Sequence, residues 1–196
     1  MKIVFASSNK SKITEIQNLL PSSISIISLE AIGCDEDIPE TADTIEGNTI
    51  LKANYVTEKY GYDCFADDSG LEVDALNGAP GVYSARYAGV HNDAEANMNK
   101  LLGALESEPN RAAQFKTVIA LNLNGEQHLF SGTVKGEITL SKSGSQGFGY
   151  DPIFKANGMS KTFAELTIAE KSNISHRSIA VKKLLKFLTD TKQFNS

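Results

Sequence analysis

The chain has 196 residues, 41% of them hydrophobic and 22% charged, which suits one domain, or one domain with a lobe, around a sizeable core. Its net charge of −5 argues against a general nucleic-acid binder, a role that needs a basic surface, but leaves room for a local cluster of Lys and Arg around one small polyanion. Cys34 and Cys64 form no metal-ligand pair and no disulfide framework, and the apolar run at the N-terminus is too short for a signal peptide. No stretch reaches the ~18 apolar residues of a spanning helix. A reducing, cytoplasmic setting is expected, with neither nucleic acid nor membrane as a direct partner.

The run from Lys2 to Ala6 has the pattern of a buried strand. It breaks at Ser7-Ser8-Asn9-Lys10-Ser11-Lys12, after which Ile13, Ile16, Leu19 and Leu20 recur at helical spacing until Pro21. A strand, a polar loop and a helix N-terminus attract phosphate, through unsatisfied N–H groups and the helix dipole. The glycines and the Gly-Lys-Ser/Thr step of a P-loop are missing. Ser and Asn also serve as plain helix caps. Lys12 weighs toward an anion, since a cation in the first turn otherwise opposes the dipole. Ile24 to Leu29 reads as a second strand, followed by an acidic loop from Asp35 to Thr41 and a helix from Gly47 to Tyr60 that ends at Gly61.

Tyr62 to Ala66 then predicts a short strand that delivers Asp67-Asp68-Ser69-Gly70. Neighbouring carboxylates repel and call for a cation or hydrogen-bond donors. A strand ending in carboxylates is a common way to present Mg²⁺ ligands, because hard cations prefer oxygen. The same four residues equally suit a polar turn, with glycine permitting a sharp reversal.

Leu71 to Leu76 alternates as a strand does, and a loop rich in glycine and proline follows to Tyr87. Asn92 or Asp93 caps a helix to about Leu105, with Glu95 where a capping box wants it. Ala112–Leu123 and Gln127–Val134 form a hairpin around Asn124-Gly125, and Gly136 to Leu140 adds a further strand. In Gly147-Phe148-Gly149-Tyr150-Asp151-Pro152, aromatic rings on a glycine-loosened backbone suit a planar base, whose stacking contributes about 1–3 kcal/mol. A packed turn is the alternative. Thr167 and Glu170 make a capping-box pattern, Lys171 follows, and Ser175-His176-Arg177 open a final amphipathic helix.

Strands alternating with helices, then a β-rich middle, then a closing helix predict an α/β fold: a mixed central β-sheet flanked by helices, in two lobes with a substrate cleft between them. The Ser7–Lys12 loop, Asp67-Asp68-Ser69, the Phe148 loop and the His176-Arg177 helix start all follow expected strands or open expected helices. They supply phosphate clamps, metal-binding carboxylates and an aromatic platform. That inventory suits hydrolysis of a nucleoside triphosphate.

Five segments then resemble the inosine triphosphate pyrophosphatase family, in the family's order and over nearly the whole chain. They are Ser-Ser-Asn-Lys-Ser-Lys at 7–12, Asp-Asp-Ser-Gly at 67–70, Gly-Ala-Pro-Gly-Val-Tyr-Ser-Ala-Arg-Tyr at 78–87, Gly-Phe-Gly-Tyr-Asp-Pro-Ile-Phe at 147–154 and Glu-Lys-Ser-Asn-Ile-Ser-His-Arg at 170–177. The resemblance implies one pyrophosphatase domain over 1–196. Its expected reaction is Mg²⁺-dependent hydrolysis of XTP, ITP and dITP to the monophosphate and pyrophosphate, keeping these nucleotides out of DNA and RNA. By position it implies Asp68 as base and metal ligand and Glu40 as second metal ligand. It implies substrate contacts at Ser7, Ser8, Asn9, Lys10, Ser11, Lys12, Lys52, Ser69, Phe148, Gly149, Tyr150, Asp151, Lys171, His176 and Arg177. It further implies a homodimer. Two other readings stay open at this point: a pyrophosphatase of modified pyrimidine nucleotides, and a nucleotide-binding regulator without chemistry.

Overall fold

The computed structural model describes residues 1–194. The apolar run at the start forms strand β1 (Lys2–Phe5). Asn9 then caps helix α1 (Lys10–Leu19), its side-chain oxygen accepting from the Lys12 N–H at 3.1 Å. Strand β2 (Ser25–Ile27) lies parallel to β1, with Ile3 opposite Ile26. Thr44 caps helix α2 (Ile45–Tyr60), which stops at Gly61. Strand β3 (Cys64–Val73) runs parallel to β1 on its other side, Val4 facing Cys64.

Asp93 caps helix α3 (Ala94–Ala104). Strands β4 (Ala112–Leu123) and β5 (Glu126–Ile138) are joined by Asn124-Gly125, both with the positive φ that a two-residue hairpin requires. Strand β6 (Phe154–Ala156) is antiparallel to β5. The Thr167–Glu170 capping box opens helix α4 (Ile168–Ile174), and helix α5 (His176–Phe194) follows directly. Among the described residues the strands make one mixed six-stranded sheet in the order β2-β1-β3-β4-β5-β6. None of the described helices is long and apolar enough to cross a membrane.

Three expectations are corrected. Asp67-Asp68-Ser69-Gly70 neither ends a strand nor turns, because β3 passes straight through it to Val73. Phe65 and Ala66 before the motif, and Leu71 and Val73 after it, are all buried, so the core holds the strand on both sides. Asp74–Leu76, expected to extend a strand, form a single 3₁₀ turn. The two strands expected between Gln127 and Leu140 are likewise one, β5. Gly136 does not interrupt it. A Cβ there would lie 2.2 Å from the Lys155 carbonyl oxygen and 2.8 Å from the Phe154 ring, so glycine lets β6 approach.

The chain divides into two compact units. The first takes Met1–Asp68, Thr117–Gly132 and the chain from Arg177; the second takes Ser69–Lys116 and Thr133–His176. In the first, strand alternation sorts the core into two faces. Ile3, Phe5, Phe65, Ile119 and Leu121 pack against Ile16 of α1 and Ala180, Val181, Leu184 and Leu188 of α5. Val4, Ala6, Cys64, Ala66 and Ala120 pack against Ala53 and Val56 of α2. In the second unit, Leu71, Val73, Phe115, Ile138 and Phe154 pack with Met98 and Leu101 of α3, with Leu105 that caps it, and with Phe163 and Leu166.

Candidate functional site

Period-two alternation continues through the aspartates, and it separates them. Phe65 faces α1 and α5, so Asp67 does too; Ala66 faces α2, and so does Asp68. Asp67 is fully buried. Its Oδ1 lies 3.2 Å from the Lys12 ammonium, and its Oδ2 accepts from Arg177 Nε at 3.1 Å. Arg177 also donates through Nη1 to Glu15, one turn after Lys12 on α1. Burial would raise the Asp67 carboxyl, but the Lys12 and Arg177 charges hold it well below the usual carboxylate range. Burial lowers the Lys12 ammonium in spite of Asp67, whereas for Arg177 the two carboxylates outweigh burial and keep it charged.

On the α2 side, the Lys52 ammonium sits between two carboxylates. It is 2.7 Å from Glu40 Oε1 and 3.6 Å from Asp68 Oδ1. Burial would lower Lys52, yet Asp68 and Glu40 outweigh it and raise it. Burial raises Asp68, and the Glu40 and Asp67 charges add to that against the pull of Lys52 and Lys12. In the loop ahead of α1, Ser7 Oγ accepts from the Asn9 N–H at 3.3 Å, while Ser8, Lys10 and Ser11 are exposed. The structure thus gathers Lys12, Glu40, Lys52, Asp68 and Arg177 in one unit, with the Ser7–Lys12 loop leading into α1.

The second unit holds the remaining predicted positions. Asp151 is buried and organises the aromatic loop. Its Oδ2 accepts from the Phe148 N–H at 2.8 Å and from the Lys171 ammonium at 2.7 Å. Gly147 makes this possible: its φ is +75°, and a Cβ there would lie 2.0 Å from the same carboxylate oxygen. Lys171 in turn lies 5.1 Å from the Phe148 ring centroid, a cation–π contact on the ring proposed to stack a base. The buried Tyr150 hydroxyl donates to the Ser84 carbonyl at 2.9 Å, and Gly149 follows the half-buried Phe148. His176 is buried, its ring stacked on Phe115 at 4.6 Å and 8°. Ser69 lies half-buried on β3 beside Asp68.

Three participants escaped the sequence reading: Glu15, Phe115 and Ser84. Glu15 carried a usable signal, since it stands three residues after Lys12 on the same helical face. Ser84 lay within the 78–87 segment of the family resemblance without being singled out, and Phe115 carried no signal beyond its chemistry. Among the described residues no group of three or more His, Cys, Asp or Glu could hold a metal ion. Glu40 and Asp68 nonetheless fit Mg²⁺: they are oxygen donors already gripping one cation, that of Lys52, and Mg²⁺ typically takes one or two carboxylates and completes its shell with water and phosphate oxygens.

The profile of the Ham1 family matches residues 3–187. This chain belongs to the Ham1 family. A relative from Flavobacterium johnsoniae, named dITP/XTP pyrophosphatase, is 68% identical over 98% of this chain and 100% of its own length. The solved Ham1 protein of Staphylococcus aureus is 44% identical and superimposes with a TM-score of 0.89, covering 97% of this chain and 100% of that one. The HAM1 protein of Coxiella burnetii gives 41% and 0.90, covering 97% and 99%. These matches bear out the family resemblance carried by the five motifs, and the six-stranded sheet with its solved neighbours bears out the mixed α/β fold read from the order of strands and helices.

Proposed function

We propose that this Ham1-family chain is one pyrophosphatase domain that hydrolyses XTP, ITP and dITP between the α and β phosphates, releasing the monophosphate and pyrophosphate. By doing so it keeps these nucleotides out of DNA and RNA. The observation that carries the reading is the Lys52 ammonium held between Glu40 and Asp68, in the unit that also holds Lys12 and Arg177. A cation between carboxylates, beside further cations, is what a metal–triphosphate needs. The name borne by relatives up to 68% identical supports the substrate class.

Glu40 and Asp68 would hold Mg²⁺, which when bound supplies charge neutralisation on the phosphate oxygens. The Ser7–Lys12 loop receives the phosphate chain at the α1 N-terminus, with Lys12 and Lys52 as cations. Asp68 accepts the proton of the water whose oxygen bonds to phosphorus, as the α–β bridge bond breaks and pyrophosphate leaves. Lys12, Lys52 and Arg177 stabilise the charge that moves onto that leaving group. Ser69, the Phe148–Asp151 loop and His176 take the nucleoside, the Phe148 ring stacking on the base. A 6-oxo purine accepts donated hydrogen bonds at a point where adenine presents an amino group, so unmet donors in the site disfavour ATP.

A nucleotide panel with separate detection of pyrophosphate and orthophosphate tests this. ITP, dITP and XTP should give monophosphate and pyrophosphate. Orthophosphate instead, or no turnover, overturns the reaction, and faster turnover of dTTP or 5-methyl-UTP than of ITP overturns the purine preference. The enzyme is further proposed to work as a cytoplasmic homodimer, in keeping with its two reduced, buried cysteines. A monomer by light scattering at micromolar concentration would refute the dimer.

A further inference from the structure

Lys12, Asp67, Arg177 and Glu15 form a chain of alternating charge. Two members, Lys12 and Glu15, sit a turn apart on α1; Asp67 comes from β3 and Arg177 from the start of α5. The side chains of Asp67 and Arg177 are 0% and 2% exposed, those of Lys12 and Glu15 14% and 19%. The chain of charges is therefore anchored at its buried pair and reaches solvent at its two α1 ends. Its bonds are unequal. Arg177 is fixed at Nε and Nη1 by two carboxylates. Lys12 lies 3.2 Å from Asp67 Oδ1, within ion-pair range, yet that oxygen accepts no hydrogen bond of good geometry. Asp67 draws the Lys12 ammonium into place without claiming its N–H donors, which stay available to an incoming anion.

We infer that Asp67 is a positioning residue: braced by Arg177 and Glu15, it aims the Lys12 ammonium at the phosphates and touches neither metal nor substrate itself. The inference rests on the proposed reading of Lys12 as a phosphate contact. It also separates the two aspartates. Asp68 would act on water, and Asp67 only through Lys12.

The test is a double-mutant cycle on ITP turnover with Asp67→Asn and Lys12→Met. Each single variant should lower kcat, Asp67→Asn by between a few-fold and about a hundredfold, the range of coupling inside one charge network. KM for ITP should not rise in Asp67→Asn, because the site loses a negative charge. In the Lys12→Met background, Asp67→Asn should cost no further kcat, since the group it aims is gone. The same loss repeated in that background would overturn the inference while leaving the proposed function standing. An undiminished Lys12→Met would instead remove Lys12 from the phosphate site, and this inference with it. Circular dichroism reports whether Asp67→Asn folds. Where it does not, Glu15→Gln at the partly exposed far end of the charge chain takes its place, and a loss that persists without Lys12 is again the refuting result.

Discussion

Asp68→Asn separates chemistry from folding, because the geometry around Lys52 predicts different sizes for the two effects. The substitution keeps the side chain's volume and removes its charge. Stripping one partner from a buried ion pair costs about 3–5 kcal/mol when the other charge is left alone. Lys52 is not left alone: the arm it loses is the 3.6 Å one, and the 2.7 Å arm to Glu40 remains. The stability loss should fall to the ordinary ~1 kcal/mol of a single substitution. For a chain of this size that lowers Tm by about 2–4 °C. Turnover should respond far more strongly, since losing a positioned proton acceptor costs about 10²–10⁴-fold in rate, or about 3–5 kcal/mol in barrier. The assay is pyrophosphate release from saturating ITP, paired with thermal melting of the same preparation. A variant keeping more than about a tenth of wild-type kcat would refute Asp68 as the base. A Tm loss several times the expected one would refute the claim that Glu40 alone can hold Lys52.

Three other outcomes are expected. Gly136→Ala drives a Cβ into the Lys155 carbonyl and the Phe154 ring, and overpacking of this kind costs about 1–3 kcal/mol; an unchanged melting curve would contradict the close β5–β6 approach. Phe148→Ala should raise KM for ITP by about 5- to 150-fold with kcat little changed, the equivalent of one stacking contact of about 1–3 kcal/mol; steady-state kinetics showing the reverse split would remove the ring from the base site. Glu36 accepts from Lys59, Tyr55 and Tyr60, which draw its carboxyl down to about 2. A folded value below the unfolded ~4.3 stabilises the protein above pH ~4.3, and that stability is lost as pH falls toward 2. Glu36→Gln should therefore narrow its stability gap to wild type across that acid range in pH-dependent melting, and a constant gap would contradict the depressed carboxyl.

Much of the architecture was legible because its signals are local. Asn9, Asp93 and Thr167 each cap the helix they precede, and Asn124-Gly125 makes its hairpin without help from the rest of the fold. Asp67-Asp68-Ser69-Gly70 and Gly136 were misjudged for one shared reason: both were read by intrinsic preference, and both are settled by neighbours distant in sequence. Aspartate and glycine are poor strand formers in isolation. Lys12, Lys52 and Arg177 neutralise the aspartates in place, and β6 needs the space that Gly136 leaves. The Asp151–Lys171 pair was equally out of reach, since nothing in a linear chain says that a residue of the aromatic loop will meet one from α4.

The strand geometry of β3 also decides how the motif divides its labour. Two aspartates in a turn would converge, and a shared metal would be the natural way to relieve their repulsion. Two consecutive aspartates in a strand diverge, because successive side chains leave opposite faces. Each must then find its own cation: Asp67 between α1 and α5, where Lys12 and Arg177 stand, and Asp68 toward α2, where Lys52 stands. Asp68 has a second carboxylate, Glu40, across a lysine ammonium, whereas the second carboxylate on the Asp67 side, Glu15, lies across the buried Arg177 guanidinium. This is the geometry behind the proposed divalent-ion site at Glu40 and Asp68. Asp67 lies fully buried against an arginine that is itself tied to Glu15, and its remaining influence on an anion runs through Lys12.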